Sequence, residues 1–184
     1  MGQSLSISSI LLQLNGTYTN TLTDSTTVSH ALAKSFSDTL ATGTGDDQSD
    51  IFWSSSSRTL ADAATETFDM YDLGTLNIGA GAGKDHLGQS VAFADVTALF
   101  IFNNTTVAND GKLVVGADGT SACWNSPFDG DDDGKLVIPP AGFVALFSPK
   151  DGAWAVADST NHLLKMAASG GEVTYDIFVV GRSA

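Results

Sequence analysis

Cysteine is almost absent from this 184-residue sequence, in which Cys123 is the only one. An intrachain disulfide is therefore excluded, and the fold must be held together by packing alone. Cys123 lies between Ala122 and Trp124 and is most simply a small apolar core residue, because free cysteine is among the most buried residue types. No histidine lies near it in the sequence to suggest a nucleophile or a metal ligand.

Basic residues are also scarce, with 8 lysines and arginines against 21 acidic residues and a formal net charge of −13. Such a surface repels phosphate groups, and no basic cluster offsets the repulsion. We therefore expect binding neither to nucleic acid nor to a membrane. Charged residues of both signs make up only 16% of the chain, against roughly 25% in ordinary soluble proteins. Neutral polar residues suit a surface that packs against other subunits without desolvating ions.

Long apolar runs are missing as well. No stretch approaches the ~20 apolar residues that a membrane helix requires, and the first residues lack the basic and apolar regions of a secretion signal. We therefore expect a protein that is made and folded in a cytoplasm.

The sequence does contain a series of short strand patterns. Gly, Pro, Asn or Asp closes each of six apolar or alternating runs, and these residues favour turns. The runs are 96–102, 112–115, 135–138, 143–147, 163–168 and 173–181. Their number and spacing predict an all-β chain with a single jelly-roll-like β-sandwich over residues 59–184. The last two runs, separated by a Ser-Gly-Gly segment, predict a hairpin.

Residues 1–58 are rich in serine and threonine, yet large and small side chains alternate. From Val28 to Leu40 the larger side chains occupy the even positions, which is the period of a strand. A helix over 28–36 is the alternative, because Ala, Leu and Lys favour helices. We predict that 1–58 forms a strand-rich arm, either as one or two hairpins or as an extended segment that pairs with a neighbour's sheet edge.

The sharpest local motif is the acidic run with Asp129, Asp131 and Asp133 at alternate positions, followed by Gly134. Three alternating carboxylates before a glycine are typical of a calcium loop. Pro140 occupies the position of the expected bidentate acid, and the next run is a strand, so the motif is not an EF-hand. A calcium loop and a solvated acidic turn are the two interpretations. No other cofactor is expected.

Four aromatic residues are candidate contact anchors: Phe52, Trp53, Trp124 and Trp154. Tryptophan is enriched at interface hot spots, and exposed rings beside carboxylates would suit stacking on sugars. The alternative is that the tryptophans are core residues, because tryptophan is highly buried on average.

Catalytic patterns are missing from the sequence. His30, His86 and His162 lack the spacing of zinc ligands, and no G-x-S-x-G elbow is present. The glycines over 79–83 match neither a phosphate loop nor a dinucleotide-binding motif. We therefore expect that the protein is not an enzyme.

Turn and strand signatures occupy the segments 40–53, 58–61, 65–73, 87–89, 93–96, 102–104, 115–117, 127–130, 139–142 and 173–177. Through these segments much of the chain resembles tailed-bacteriophage virion structural proteins, and the likeness begins at about residue 35. The resemblance implies a virion protein of the small β-sandwich type, similar to head decoration (cement) proteins, and it assigns no site residues.

Together these features predict a capsid decoration protein located in the virion. We expect a homotrimer that binds the major capsid protein on the outer surface of the head. Such a protein stabilises the shell by binding only its assembled, expanded form. The alternatives are a tail-fibre or baseplate module that contacts host surface glycans, and a neck or tail-tube protein, which requires ring symmetry.

Overall fold

A computed structural model describes most of the chain. The described residues are 5, 7–21, 27–73, 90–106, 111–116, 122–128, 130, 133–150, 152 and 154–184. Within these residues the protein has eleven strands, one turn of 3-10 helix at Ser126–Phe128 and no α-helix. The predicted all-β class is confirmed, and all six predicted runs form strands.

The strands follow one another along the chain. They are β1 Ile7–Thr21, β2 Thr27–Thr42, β3 Gln48–Ser49, β4 Ile51–Leu60, β5 Thr65–Asp69, β6 Phe93–Asn103, β7 Lys112–Gly116, β8 Lys135–Ile138, β9 Phe143–Phe147, β10 Leu163–Ser169 and β11 Val173–Ser183.

Strands β4 to β11 form two four-stranded sheets that pack face to face. One sheet has the order β4-β11-β6-β9, and we call it the arm-side sheet because the amino-terminal strands lie against it. The other, the distal sheet, has the order β5-β10-β7-β8. Every pairing in both sheets is antiparallel. One core cluster draws side chains from both sheets, so the body of the protein is a β-sandwich, as predicted.

The strand order is nested. The first strand of the body, β4, lies beside the last, β11, and the second, β5, lies beside the second-to-last, β10. Most connections therefore cross from one sheet to the other, and only β7 and β8 are both consecutive and paired within the described body. This nesting brings the end of the chain next to the strand that follows the amino-terminal segment.

The predicted hairpin of β10 and β11 is wrong. Strand β10 pairs with β5 and β7, whereas β11 pairs with β4 and β6. The connection at Gly170 and Gly171 has φ angles of 82° and 147°, which glycine adopts without the strain of a Cβ. These two residues turn the chain from one sheet into the facing sheet instead of folding it back within a sheet.

Strand β11 shows how the sequence period builds the core. Val173, Tyr175, Ile177 and Val179 are each 0% exposed, and the residues between them, such as Phe178, point to the other face of the sheet. Because successive side chains of a strand alternate between faces, one buried face follows from the spacing. Burying each large apolar side chain stabilises the fold by about 1.5–3 kcal/mol.

A polar group sits at the edge of this core around Tyr175. Its hydroxyl donates a hydrogen bond to Glu66, and Glu66 also forms an ion pair with Arg58. The Arg58 guanidinium lies 5.2 Å from the centre of the Phe68 ring. Burial, together with the negative charge and hydrogen bond of Glu66, raises the pKa of Tyr175 far above its ordinary value of 10.0. The phenol is therefore held in its neutral form.

We expect the protein to lose stability above pH 10. A folded-state pKa above that of the unfolded chain contributes stability that is present below about pH 10 and is lost as the pH rises. The free energy of unfolding should fall with an added slope approaching about 1.4 kcal/mol per pH unit. Urea titrations between pH 9 and 11.5 measure this slope. Tyr175→Phe should remove it, and Tyr71→Phe is the control. Equal slopes in both variants would contradict the prediction.

The boundary predicted after residue 58 falls inside β4, whose residues Ile51–Leu60 belong to the arm-side sheet. Strands β1 and β2, which end at Thr42, form a separate sheet with β3, and the first strand of the sandwich begins at Ile51.

Candidate assembly interface

Strands β1 and β2 form a long antiparallel hairpin, which we call the arm. Its register runs from Ile7 opposite Leu40 to Thr21 opposite Thr27. The strands have 15 and 16 residues, so at about 3.4 Å per residue the ribbon is about 50 Å long. The alternation that predicted a strand from Val28 onward is confirmed, and the helical alternative is not realised.

Most of the arm is exposed on both faces. Every described side chain between residues 11 and 37 is exposed, including four large apolar ones: Leu11 at 60%, Leu12 at 53%, Leu14 at 59% and Phe36 at 46%. Leu12 lies opposite Phe36 in the register, so these two side chains share one face. The ribbon therefore presents apolar surface that the described part of the body leaves largely uncovered.

The base of the arm is fixed to the body by an apolar cluster. Leu40 is 2% exposed and packs with Ala98 and Val180 of the arm-side sheet. Ile7 and Ile10 of the opposite strand pack against the same cluster. In the described part of the chain, the arm is thus held near one end.

Strand β3 continues the attachment after the arm has ended. It pairs in parallel with the end of β2, with Ala41 opposite Gln48. The hydroxyl of Ser49 lies 2.8 Å from that of Thr97, which donates to the carbonyl of Val180 at 3.1 Å. Hydrogen bonds therefore join this segment to the arm-side sheet.

A buried arginine ties the same segment to the end of the chain. Arg182 donates to Asp95 Oδ1 at 2.7 Å, and the two side chains are only 1% and 5% exposed. The guanidinium also donates to three backbone carbonyls: Gly45 at 2.9 Å, Lys150 at 3.2 Å and Pro149 at 2.6 Å. One cation thus holds the loop after the arm and the loop after β9 against β11.

An exposed ion pair joins the same two loops directly. Lys150 Nζ lies 3.0 Å from Asp47 Oδ2, and both side chains are more than half exposed. The amide of Asp47 donates to the carbonyl of Pro149 at 2.8 Å. The two loops are therefore linked at the surface by Lys150 and inside the protein by Arg182, which binds their carbonyls.

The outer face of the arm-side sheet, which points away from the core, is rich in phenylalanine. The register places Phe178 opposite Phe100, and Phe102 opposite Phe143. Six of the 10 phenylalanines of the chain form this surface, which we call the aromatic face. They are Phe52, Phe100, Phe102, Phe143, Phe147 and Phe178.

The base of the arm covers one end of the aromatic face and leaves the other end open. At the covered end the rings of Phe36 and Phe147 meet edge to face, 5.5 Å between centres. At the open end Phe102 stacks on Phe143 at 5.7 Å and meets Phe178 edge to face at 6.1 Å. Phe102 is 37% exposed and Phe143 56% exposed.

A cavity of about 360 Å³ lies between the arm and the aromatic face. The arm contributes Ile7, Ile10 and Leu11 to its lining, and the sheet contributes Phe102 and Phe178 among others. Apolar walls make it a poor site for ordered water, which needs two to four polar partners. The cavity is continuous with the open end of the face and is shaped to take an apolar group.

The four aromatic contact candidates lie in different environments. Trp53 and Trp124 are 3% and 0% exposed and belong to the core between the two sheets. The core interpretation is therefore correct for these two, because a ring enclosed by the sheets cannot meet a partner. Trp154 is half-buried against the same core. Phe52 belongs to the aromatic face and lines the cavity.

The predicted calcium loop falls mostly outside the described residues, since Asp129 and Asp131 are not among them. Asp133 is described and exposed. Over the described part of the chain, no cluster of three or more His, Cys, Asp or Glu side chains is arranged to hold a metal ion.

Comparison with protein-family models, curated proteins and solved structures finds no match. In the part of the chain that the structure describes, no helix is long and apolar enough to cross a membrane.

Proposed function

We propose that this protein is a virion structural subunit of a tailed bacteriophage, a decoration protein that binds the outer surface of the assembled head. The observation that carries the proposal is the arm: a ribbon about 50 Å long, anchored at one end, with apolar side chains exposed on its distal part. The likeness of the sequence to virion proteins supplies the biological setting.

The physical argument concerns the stability of the arm. A two-stranded hairpin alone in water is marginally stable at best, and it needs a third strand or a packing surface. Here the described side chains from residue 11 to residue 37 are exposed. Beyond its base, the described part of the chain therefore gives the arm few of the contacts that would hold it in one conformation. A partner that covers it completes the structure, as expected of a subunit that functions in an assembly.

The strand order of the body agrees with this role. The first strand pairs with the last and the second with the second-to-last, over two facing sheets, and this nesting agrees with the jelly-roll-like sandwich expected from the sequence. Jelly rolls recur in viral capsid and lectin domains. Fold alone does not decide function, so the strand order supports the proposal without carrying it.

The charge distribution suits a subunit that is packed densely on a shell. Within residues 7–21 and 27–42 the only lysine, arginine or carboxylate residues are Lys34 and Asp38, so the arm is close to neutral in a chain of net charge −13. Contacts made through the arm avoid desolvating ions. The acidic residues are left on the body, where they keep the outer surface soluble.

The proposal is tested by co-sedimentation with empty heads of the phage that encodes the chain. We expect binding to expanded heads and not to unexpanded ones. The triple change Leu11→Ser, Leu12→Ser and Leu14→Ser should weaken that binding at least about ten-fold, the scale of one or more hot-spot contacts. Val137→Ser is the matched control, because Val137 is 58% exposed on the distal sheet. Binding to host glycans, with no binding to either form of the head, would overturn the proposal.

A further inference from the structure

We propose that the arm of one copy of this chain packs on the aromatic face of another copy, with the exposed leucines of the first against Phe102, Phe143 and Phe178 of the second. The inference deepens the proposed function, on which it rests, by naming the contact between subunits. The exposed leucines of the arm and the open end of the aromatic face would then cover each other in the assembly.

The base of the arm shows which kind of side chain packs on the outer face of the arm-side sheet. At its base, Ile7 and Ile10 pack in the cluster that includes Phe52 and Phe100. Further along the same strand come Leu11, Leu12 and Leu14, which are more than half exposed. Further along the same face of the sheet come Phe102 and Phe143. The contact seen at the base therefore uses the same chemistry as the two surfaces that are left exposed.

The anchor at Leu40, which is 2% exposed in its contact with Ala98 and Val180, fixes the position of the arm over its own sheet, and in that position Phe102 and Phe143 stay partly exposed. An arm from another copy has no such constraint. The cavity of about 360 Å³ between Leu11, Phe102 and Phe178 offers an apolar space to one of its leucines. Every copy has one arm and one aromatic face, so the number of arms equals the number of faces that can receive them.

The charges of the two surfaces allow a second copy to dock. Lys34 lies opposite Leu14 on the face of the ribbon that carries Leu12 and Phe36, and Asp38, opposite Ile10 near the base, lies on the same face. Asp176 lies opposite Phe102 on the outer face of the arm-side sheet, where it accepts a hydrogen bond from the amide of Ser57. A docked arm brings one cation to one anion beside the leucine and phenylalanine contacts. Chains of net charge −13 can associate there because both surfaces are close to neutral.

The available area is sufficient for a stable contact. A ribbon about 50 Å long and about 10 Å wide offers on the order of 500 Å² on each face, and a stable interface needs about 800 Å² per partner. Each copy in a closed dimer or trimer both gives an arm and receives one, so each contributes an arm surface and a sheet surface. In a dimer the two contacts lie in one interface and together reach the required area, whereas in a trimer each interface contains one contact; in both, closed symmetry satisfies every arm.

Cysteine cross-linking tests the contact directly. Leu12→Cys and a tagged Phe143→Cys are prepared separately, mixed under conditions that allow exchange, and treated with a short bifunctional maleimide. Cys123 is buried, so the engineered thiols are the accessible ones in the described chain. We expect a covalent product that contains one copy of each variant. Val137→Cys on the distal sheet replaces Phe143→Cys in the control and should give no such product.

Self-association measured by analytical ultracentrifugation is the second readout. Phe143→Ser should weaken it at least about ten-fold, with an unchanged circular dichroism spectrum, because the side chain is 56% exposed. A stable oligomer that gives arm-to-arm cross-links and no arm-to-sheet product would overturn the inference and leave the proposed function standing. So would a monomer that binds expanded heads through its leucines. A monomer that binds neither heads nor itself would overturn both.

Discussion

Replacing Arg182 with methionine should lower the free energy of unfolding by about 3–5 kcal/mol, the usual effect of removing one partner from a buried ion pair. The change leaves the Asp95 carboxylate buried, with the amide of Gly152 at 3.1 Å as a remaining donor. It also removes the donor to the carbonyls of Gly45, Pro149 and Lys150. Urea unfolding followed by circular dichroism measures the loss.

The exposed ion pair between the same loops provides the control. Lys150→Ala removes the contact with Asp47, yet we expect no measurable loss of stability because both side chains are in water. Since Arg182 also fixes the loop that follows the arm, Arg182→Met should speed proteolytic cleavage between residues 42 and 50 more than it speeds cleavage elsewhere. Equal stability losses in the two variants would show that burial of Arg182 is not what strengthens this contact.

Much of the fold could be predicted from the sequence, because strand period and turn residues are local properties. The alternation in β11 identified which side chains share a face, and the six runs all became strands. The strands with which β10 and β11 pair could not be predicted in this way. A glycine pair such as Gly170 and Gly171 marks a turn, but the sheet that the chain enters next depends on packing between residues far apart in the sequence.

The assembly surface was only partly visible in the sequence. The arm was predicted as strand-forming because its alternation is local. The aromatic face joins phenylalanines from four separate strands, so it exists only once the register is known. The spacing of Phe100 with Phe102, and of Phe143 with Phe147, was the available signal. The burial of Arg182 could not be predicted from the sequence, because a single arginine usually lies on the protein surface.

For the tryptophans the sequence could not decide between a contact residue and a core residue, because this residue type is frequent in both places. Trp124 follows Cys123 and precedes a polar segment, so the sequence left both the core and the contact interpretations open. The structure buries the ring at 0% exposure and satisfies its indole nitrogen, which donates to the carbonyl of Ala155 at 3.0 Å. A buried ring with its polar atom bonded inside the protein acts as a packing element.

Trp124→Ala should therefore destabilise the fold by about 3–5 kcal/mol, the range for deleting a buried large aromatic side chain and leaving a cavity. Trp154→Ala should cost less, because its ring is half-buried at the edge of the same core and solvent can fill the space. Unfolding is best followed by far-ultraviolet circular dichroism, since both changes alter tryptophan fluorescence. If Trp124→Ala kept its stability and instead lost self-association or binding to heads, the ring of Trp124 would be a contact residue. The core of the sandwich would then contain Trp53 without Trp124.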